Sequence, residues 1–77
     1  MLLRTAIKLR LTELLEERQI SQIELSKLCG ISRMTIHNIL KEKENVTCQT
    51  LLCLCNALKL TLVDFFSSPL FQNSLQM

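Results

Sequence analysis

The backbone of this chain has few places to turn sharply, because its 77 residues include one glycine and one proline. A compact all-β domain needs many tight turns, and glycine and proline are the residues that most often make them. Aromatic residues are 4% of the chain and all are phenylalanine, which disfavours a sheet that stacks nucleic-acid bases. The sequence therefore predicts an all-α fold of short helices joined by short loops.

The length and composition are those of one small folded domain. Hydrophobic residues make up 48% of the chain and charged residues 21%, which is typical of a globular protein. Positive charge is concentrated at the front: residues 1–43 hold eight Lys and Arg against five Glu, whereas residues 44–77 hold one Lys against two acids. We expect one domain over residues 1–68 and a C-terminal tail over residues 69–77 that contributes to a dimer interface.

The cysteines indicate reduced, structural thiols. No apolar run resembles a secretory leader or the roughly 18 residues of a membrane span, so we expect a cytoplasmic protein that does not enter a membrane. Cys53 and Cys55 are two residues apart on divergent faces of a helix, and no second pair of ligands has zinc-site spacing. We therefore expect no metal and no cofactor.

Apolar periodicity and capping residues divide the chain into five helices. A stripe of Ile7, Leu11, Leu14 and Leu15 predicts the first helix over residues 3–18. The sequence Ser21-Gln22-Ile23-Glu24 is a capping box, and Gly30 fits the left-handed position after the helix that this box begins. Three further N-caps predict a helix from Ser32, one from Thr47 to about Lys59, and one from Thr61 through Phe66.

Residues 22–39 combine two short helices with a tight Cys29-Gly30-Ile31 turn. Ser26 is a small residue at the point where the two helices would cross closely. Five apolar positions are spaced to face one core: Leu25, Cys29, Ile31, Ile36 and Ile39. This is the spacing of a helix-turn-helix, in which the first helix crosses the DNA backbone and the second lies in the major groove.

The segments LTELLEERQISQIELSKLCGISRMTIHNIL and TCQTLLCLCNALKLTLVDFF resemble the phage-repressor-like, Xre-type helix-turn-helix family (the lambda repressor-like fold). The similarity covers roughly residues 7–66. It implies a compact five-helix DNA-binding domain with the helix-turn-helix at helices 2 and 3. It also implies a sequence-specific transcription regulator whose partner is double-stranded DNA, most often a repressor that binds a palindromic operator as a homodimer.

The resemblance also implies which residues contact DNA. The base-contacting positions are Ser32, Arg33, Met34 and Asn38. The phosphate-contacting positions are Gln22, Thr35, His37, Lys41 and Lys43. The chemistry is suitable, because Arg bonds guanine bidentately, Asn bonds adenine and Met packs on a thymine methyl group. Each of these residues also has an ordinary interpretation as a solvent-facing side chain.

Three departures from the family pattern bear on the fold. Leu15 and Leu40 stand where many members have an Arg–Glu ion pair, and such apolar replacements are often neutral or stabilising. Glu42 stands where a glycine is usual, so it either adopts a positive φ with some strain or the loop takes another path. Lys59 replaces the glycine that is usual between the last two helices.

The back half has more apolar residues than one small core accommodates. Twelve of the sixteen residues from Leu51 to Phe66 are apolar, and Leu52, Cys53, Leu62 and either Phe65 or Phe66 have no evident place inside. A second copy of the chain is the simplest cover for such a surface. The expected interface residues are Leu62, Phe65, Phe66, Leu70 and Phe71.

A second function class uses the same fold. An antitoxin or accessory factor would bind a co-encoded partner protein through the apolar surface between Leu62 and Leu75. An enzyme is not expected, because His37 has no evident nucleophile or carboxylate partner and the chain contains no glycine-rich phosphate loop. A chain this short also leaves little room for a lined pocket.

Overall fold

The computed structural model describes residues 1–72, which form five α-helices and one short 3₁₀ helix. The elements are α1 Leu3–Arg18, α2 Gln22–Cys29, α3 Arg33–Leu40, α4 Cys48–Ala57, α5 Leu62–Phe66 and the 3₁₀ helix Pro69–Phe71. The predicted all-α, five-helix architecture is confirmed, and α4 ends two residues earlier than expected. No helix in this part of the chain is long and apolar enough to cross a membrane. The rest of the expected tail, Leu75 included, lies outside the described residues.

Side-chain hydroxyls begin four of the helices, at the residues that the sequence indicated. Ser21 accepts a hydrogen bond from the Glu24 backbone N–H at 3.1 Å, and the Glu24 carboxylate accepts from the Ser21 backbone N–H at 3.3 Å, which completes the capping box. Ser32, Thr47 and Thr61 each accept from the N–H three residues on. A cap of this kind stabilises its helix by about 1 kcal/mol.

Three helix ends place a residue other than glycine in the left-handed region. Gln19, Glu42 and Lys59 have φ of 55°, 58° and 58°, and Gly30 has φ of 71°. After each of the three, the next N–H returns to the helix, as in Lys43 N to Asn38 O at 2.8 Å, which is the Schellman pattern. Glu42 and Lys59 therefore keep the backbone that glycine usually provides, at a cost of about 1–2 kcal/mol each.

The core is built from all five helices. Its fully enclosed members include Leu11, Leu25, Ile36, Leu54 and Phe65. α2 packs on α3 and α4, α1 packs on α3 and on the 3₁₀ helix, and α5 packs on α4. The apolar positions of the helix-turn-helix behave as predicted, since Leu25, Ile36 and Ile39 are buried while Cys29 and Ile31 pack against the core from its edge.

Burial also resolves two points that the sequence left open. Leu15 is buried and Leu40 packs against the same cluster, so the positions of the usual ion pair belong to the apolar core. Phe65 is 0% exposed, whereas Phe66 is 39% exposed. The expectation that Phe65 lies in a dimer interface is therefore wrong, because the chain's own core already encloses this side chain.

Candidate DNA-binding surface

α3 is held by its inner face and by its cap. Ile36 and Ile39 are buried and anchor the helix to the core. At its start, the Ser32 hydroxyl accepts from the Thr35 N–H at 3.1 Å and donates to the Thr35 hydroxyl oxygen at 3.0 Å. The Thr35 hydroxyl therefore still has its own proton to donate to an acceptor outside the chain.

The opposite face of α3 carries a row of side chains that the core does not use. Arg33, Met34, His37, Asn38 and Lys41 follow the i, i+1, i+4, i+5, i+8 spacing, which places them on one side of the helix. Met34 is 67% exposed, so its apolar side chain is accessible on this face. Five of the nine residues expected to contact DNA thus lie on one solvent-facing surface.

The start of α2 carries a negative charge next to a predicted phosphate contact. Gln22 is exposed at the first position of α2, where free backbone N–H groups and the helix dipole favour an anion. The capping-box carboxylate of Glu24 lies at the same end and partly cancels this positive potential. Gln22 therefore presents a neutral amide at this helix end.

The turn after α3 presents Lys41, Lys43 and Glu44 outward and turns Glu42 toward α1. Lys41 and Lys43 are exposed. Between them, Glu42 accepts a hydrogen bond from the Thr5 hydroxyl, and its other oxygen lies 3.8 Å from Lys8 Nζ. The sequence indicated that Glu42 was unusual at this position. It did not indicate Thr5 as the partner of Glu42, because the two residues are 37 positions apart.

Arg10 has a structural role that the sequence did not reveal. Its Nε donates to the Phe65 carbonyl at 2.8 Å, and its Nη2 donates to the Asp64 carbonyl at 2.9 Å. These carbonyls are at the C-terminal end of α5, where a cation is favourable. Arg10 therefore fixes α5 against α1.

The exposed apolar residues of the back half differ in part from those expected. We name Leu62, Val63 and Phe66 the α5 outer face; these side chains are 39%, 75% and 39% exposed. Leu70 and Phe71 are half-buried, and the Phe71 ring lies 4.8 Å from the Phe66 ring in an edge-on arrangement. Val63 was not among the predicted interface residues, although its spacing from Leu62 and Phe66 places it on the same side of the helix.

The cysteines are free thiols in different environments. Cys48 is exposed, Cys29 and Cys53 are half-buried and Cys55 is buried. Burial raises the pKa of the Cys55 thiol above its ordinary value. Within residues 1–72, no three Cys, His, Asp or Glu side chains come together as a metal site would require.

Comparison with known proteins gives one informative match. No curated protein and no solved structure matches the chain. A family model described as the Cro/C1-type HTH DNA-binding domain matches residues 10–69, from the middle of α1 through α5 to the start of the 3₁₀ helix. This is the Xre, or lambda repressor-like, family that the sequence resembles. With a helix-turn-helix at α2–α3 and a solvent-facing row along α3, the chain belongs to the Cro/C1-type HTH DNA-binding domain family.

Proposed function

We propose that this protein is a sequence-specific transcription regulator that binds a palindromic operator as a homodimer and represses by occupying it. The observation that carries the proposal is the α3 row, which presents cationic, amide and apolar groups to solvent from a helix that the core holds rigidly. A helix of this kind fits the major groove, where such groups distinguish base pairs. The role is binding, and no residue is assigned to catalysis.

Within the α3 row, different side chains suit different base edges. Arg33 offers a planar fork for guanine O6 and N7, Asn38 an amide for adenine N6 and N7, and Met34 an apolar surface for a thymine methyl group. Ser32 reaches the same groove from the cap position. Each bidentate pair discriminates against the wrong base by about 1–3 kcal/mol.

Contacts to the DNA backbone would flank these base contacts. Gln22 at the start of α2 and Thr35 near the start of α3 offer hydrogen bonds to phosphate oxygens. His37, Lys41 and Lys43 follow toward the turn after α3. Phosphate contacts fix the position of the protein along the duplex without reading the base sequence. These residues would therefore determine the overall affinity for DNA and its dependence on salt.

The dimer would form through the α5 outer face together with Leu70 and Phe71. Exposed aliphatic and aromatic side chains adjacent in space favour burial against a second copy. A two-fold arrangement would present two recognition helices about 34 Å apart, one turn of DNA. Such a regulator acts in the cytoplasm on DNA, and its control would come through abundance, dimerisation or a partner.

The direct test is selection of bound duplexes from a random DNA library, followed by sequencing of the enriched pool. The proposal predicts an inverted repeat with half-sites one helical turn apart. Enrichment of a single half-site would refute dimeric recognition, and no enrichment at low salt would refute sequence-specific binding.

Two variants then assign roles on the selected site. Arg33→Ala should relax preference at one base pair, whereas Gln22→Ala should weaken binding to all duplexes about equally. If both variants bind the selected site as the unmodified protein does, the assignment of α3 as the recognition helix is wrong.

A second function is favoured by one observation, the 75% exposure of Val63 on the α5 outer face. The same face would serve an antitoxin or accessory factor that binds a co-encoded protein. Val63→Asp should abolish self-association in sedimentation experiments if the face is a dimer interface. A chain that is monomeric, binds DNA weakly without salt dependence and binds its genomic neighbour's product through Val63 would support the second function instead.

A further inference from the structure

The turn after α3 holds an acid where the proposed function needs positive charge. Residues 41–43 read Lys-Glu-Lys, and both lysines are exposed. An outward-facing carboxylate between them would repel DNA phosphates and cancel half of the attraction that the two lysines provide. The conformation of Glu42 turns its carboxylate toward α1, whereas Glu44, which follows Lys43, stays exposed.

Glu42 is directed away from the lysines by its backbone and is held there by α1. Its φ of 58° is the left-handed conformation that reverses the chain at the end of α3. Its N–H bonds Ile39 O at 3.1 Å, and the following Lys43 N–H bonds Asn38 O at 2.8 Å. Its carboxylate then accepts from the Thr5 hydroxyl and pairs with Lys8, so that one side chain connects the turn to α1.

The rest of the turn region packs less closely on α1. Asn45 and Val46 face Leu3, Arg4 and Ile7 across an open cleft of about 150 Å³. Among residues 1–72, no other hydrogen bond or ion pair joins a side chain of residues 41–46 to α1. The Glu42 side chain therefore adds a polar link to α1 to the backbone hydrogen bonds that join the turn to α3 and to the packing of Val46 on the core.

We propose that Glu42 is a positioning residue for DNA binding: it fastens the turn after α3 to α1 and thereby presents Lys41 and Lys43 to the DNA backbone. The inference rests on the proposed DNA-binding function and adds a role for an acidic residue to it. The partner contacted is the sugar-phosphate backbone, which is the same for every sequence.

The direction in which one substitution changes DNA affinity distinguishes a positioning role of Glu42 from simple charge repulsion. Glu42→Gly keeps the left-handed backbone, because glycine adopts positive φ freely, but removes the carboxylate. If Glu42 only repels DNA, the variant should bind an unrelated duplex more tightly. If Glu42 positions the lysines, the variant should bind more weakly, by about threefold to fivefold, and the slope of log affinity against log salt should fall by about 1.

A matched control separates this effect from relief of backbone strain. Lys59→Gly replaces a residue that has the same φ of 58° but an exposed side chain, at the end of α4. After correction for the cationic charge that it loses, this variant should show an unchanged salt slope. Circular dichroism of both variants checks that the fold is retained.

A double-mutant cycle tests whether Glu42 acts through the lysines. In a Lys41→Ala, Lys43→Ala background, Glu42→Gly should no longer weaken binding. A loss as large as in the unmodified protein would overturn the proposal, as would tighter binding by Glu42→Gly alone. Failure of the proposed function would look different, because the unmodified protein itself would then show no salt-dependent binding to any duplex.

Discussion

Replacement of Lys59 by glycine should stabilise the protein. Lys59 occupies the left-handed position after α4, where its N–H bonds Asn56 O at 3.1 Å and the next N–H bonds Cys55 O at 2.8 Å. Its exposed side chain makes no hydrogen bond or ion pair within residues 1–72. The substitution therefore relieves strain without removing a specific contact.

The magnitude follows from three opposing terms. A residue with a side chain is less stable than glycine in the left-handed conformation by about 1–2 kcal/mol. Glycine loses more backbone entropy on folding, which lowers the stability of the glycine variant by about 0.5–1 kcal/mol. Loss of a lysine near a helix C-terminus costs about 0.3 kcal/mol more at an exposed site. The free energy of unfolding should rise by about 0.5 kcal/mol, or about 2–4 °C in Tm for a domain of this size.

Urea denaturation followed by circular dichroism measures this change, and Lys59→Ala is the control that isolates the φ term. Alanine removes the same charge and the same side chain but must still adopt the left-handed conformation. The glycine variant should therefore be more stable than the alanine variant by about 0.5–1 kcal/mol. Equal stability of the two variants would refute the strain argument.

Three other predictions follow from the contacts. Arg10→Ala should lower the free energy of unfolding by about 2 kcal/mol in urea denaturation, because two charge-assisted hydrogen bonds to α5 are lost. The control Glu13→Ala removes only an exposed ion pair and should lower the free energy of unfolding by less than about 0.5 kcal/mol. Glu24→Gln keeps the capping box and should raise DNA affinity about twofold at low salt in a filter-binding titration, while Glu13→Gln should not. Burial raises the pKa of Cys55, so its thiol should resist alkylation while exposed Cys48 reacts readily, as peptide mass mapping would show. Because the folded-state pKa is the raised one, the Cys55 contribution to stability is complete below the unfolded pKa and is lost as pH rises through the folded value.

The features that sequence predicts best here are those decided within one turn of helix. The Ser21–Glu24 capping box and the three other hydroxyl caps each involve residues three apart, and all form where the pattern indicated. The same locality identified the buried positions of α2 and α3, since Leu25, Ile36 and Ile39 follow from periodicity alone.

The choice between Phe65 and Phe66 required the tertiary structure. A helix as short as α5 has room for one large inward residue, and periodicity over five residues does not determine which one it is. In the structure, Arg10 bonds the Asp64 and Phe65 carbonyls and α5 packs on α4, and together these contacts turn Phe65 inward. The orientation of the α5 outer face therefore depends on a residue of α1 that sequence spacing does not connect to it.

The net charge of the turn that we propose to face DNA cannot be obtained by summing charges along the sequence. Counted along the chain, residues 41–43 carry one net positive charge. In the folded protein the Glu42 carboxylate lies beside Lys8 of α1, so it does not face solvent between Lys41 and Lys43, although the exposed Glu44 follows them. Since affinity for phosphates follows the charges that face them, a net charge summed over sequence underestimates the attraction of this edge for DNA. A negative residue inside a segment that we propose to bind phosphates is thus compatible with binding when the backbone directs its side chain to a cation behind it.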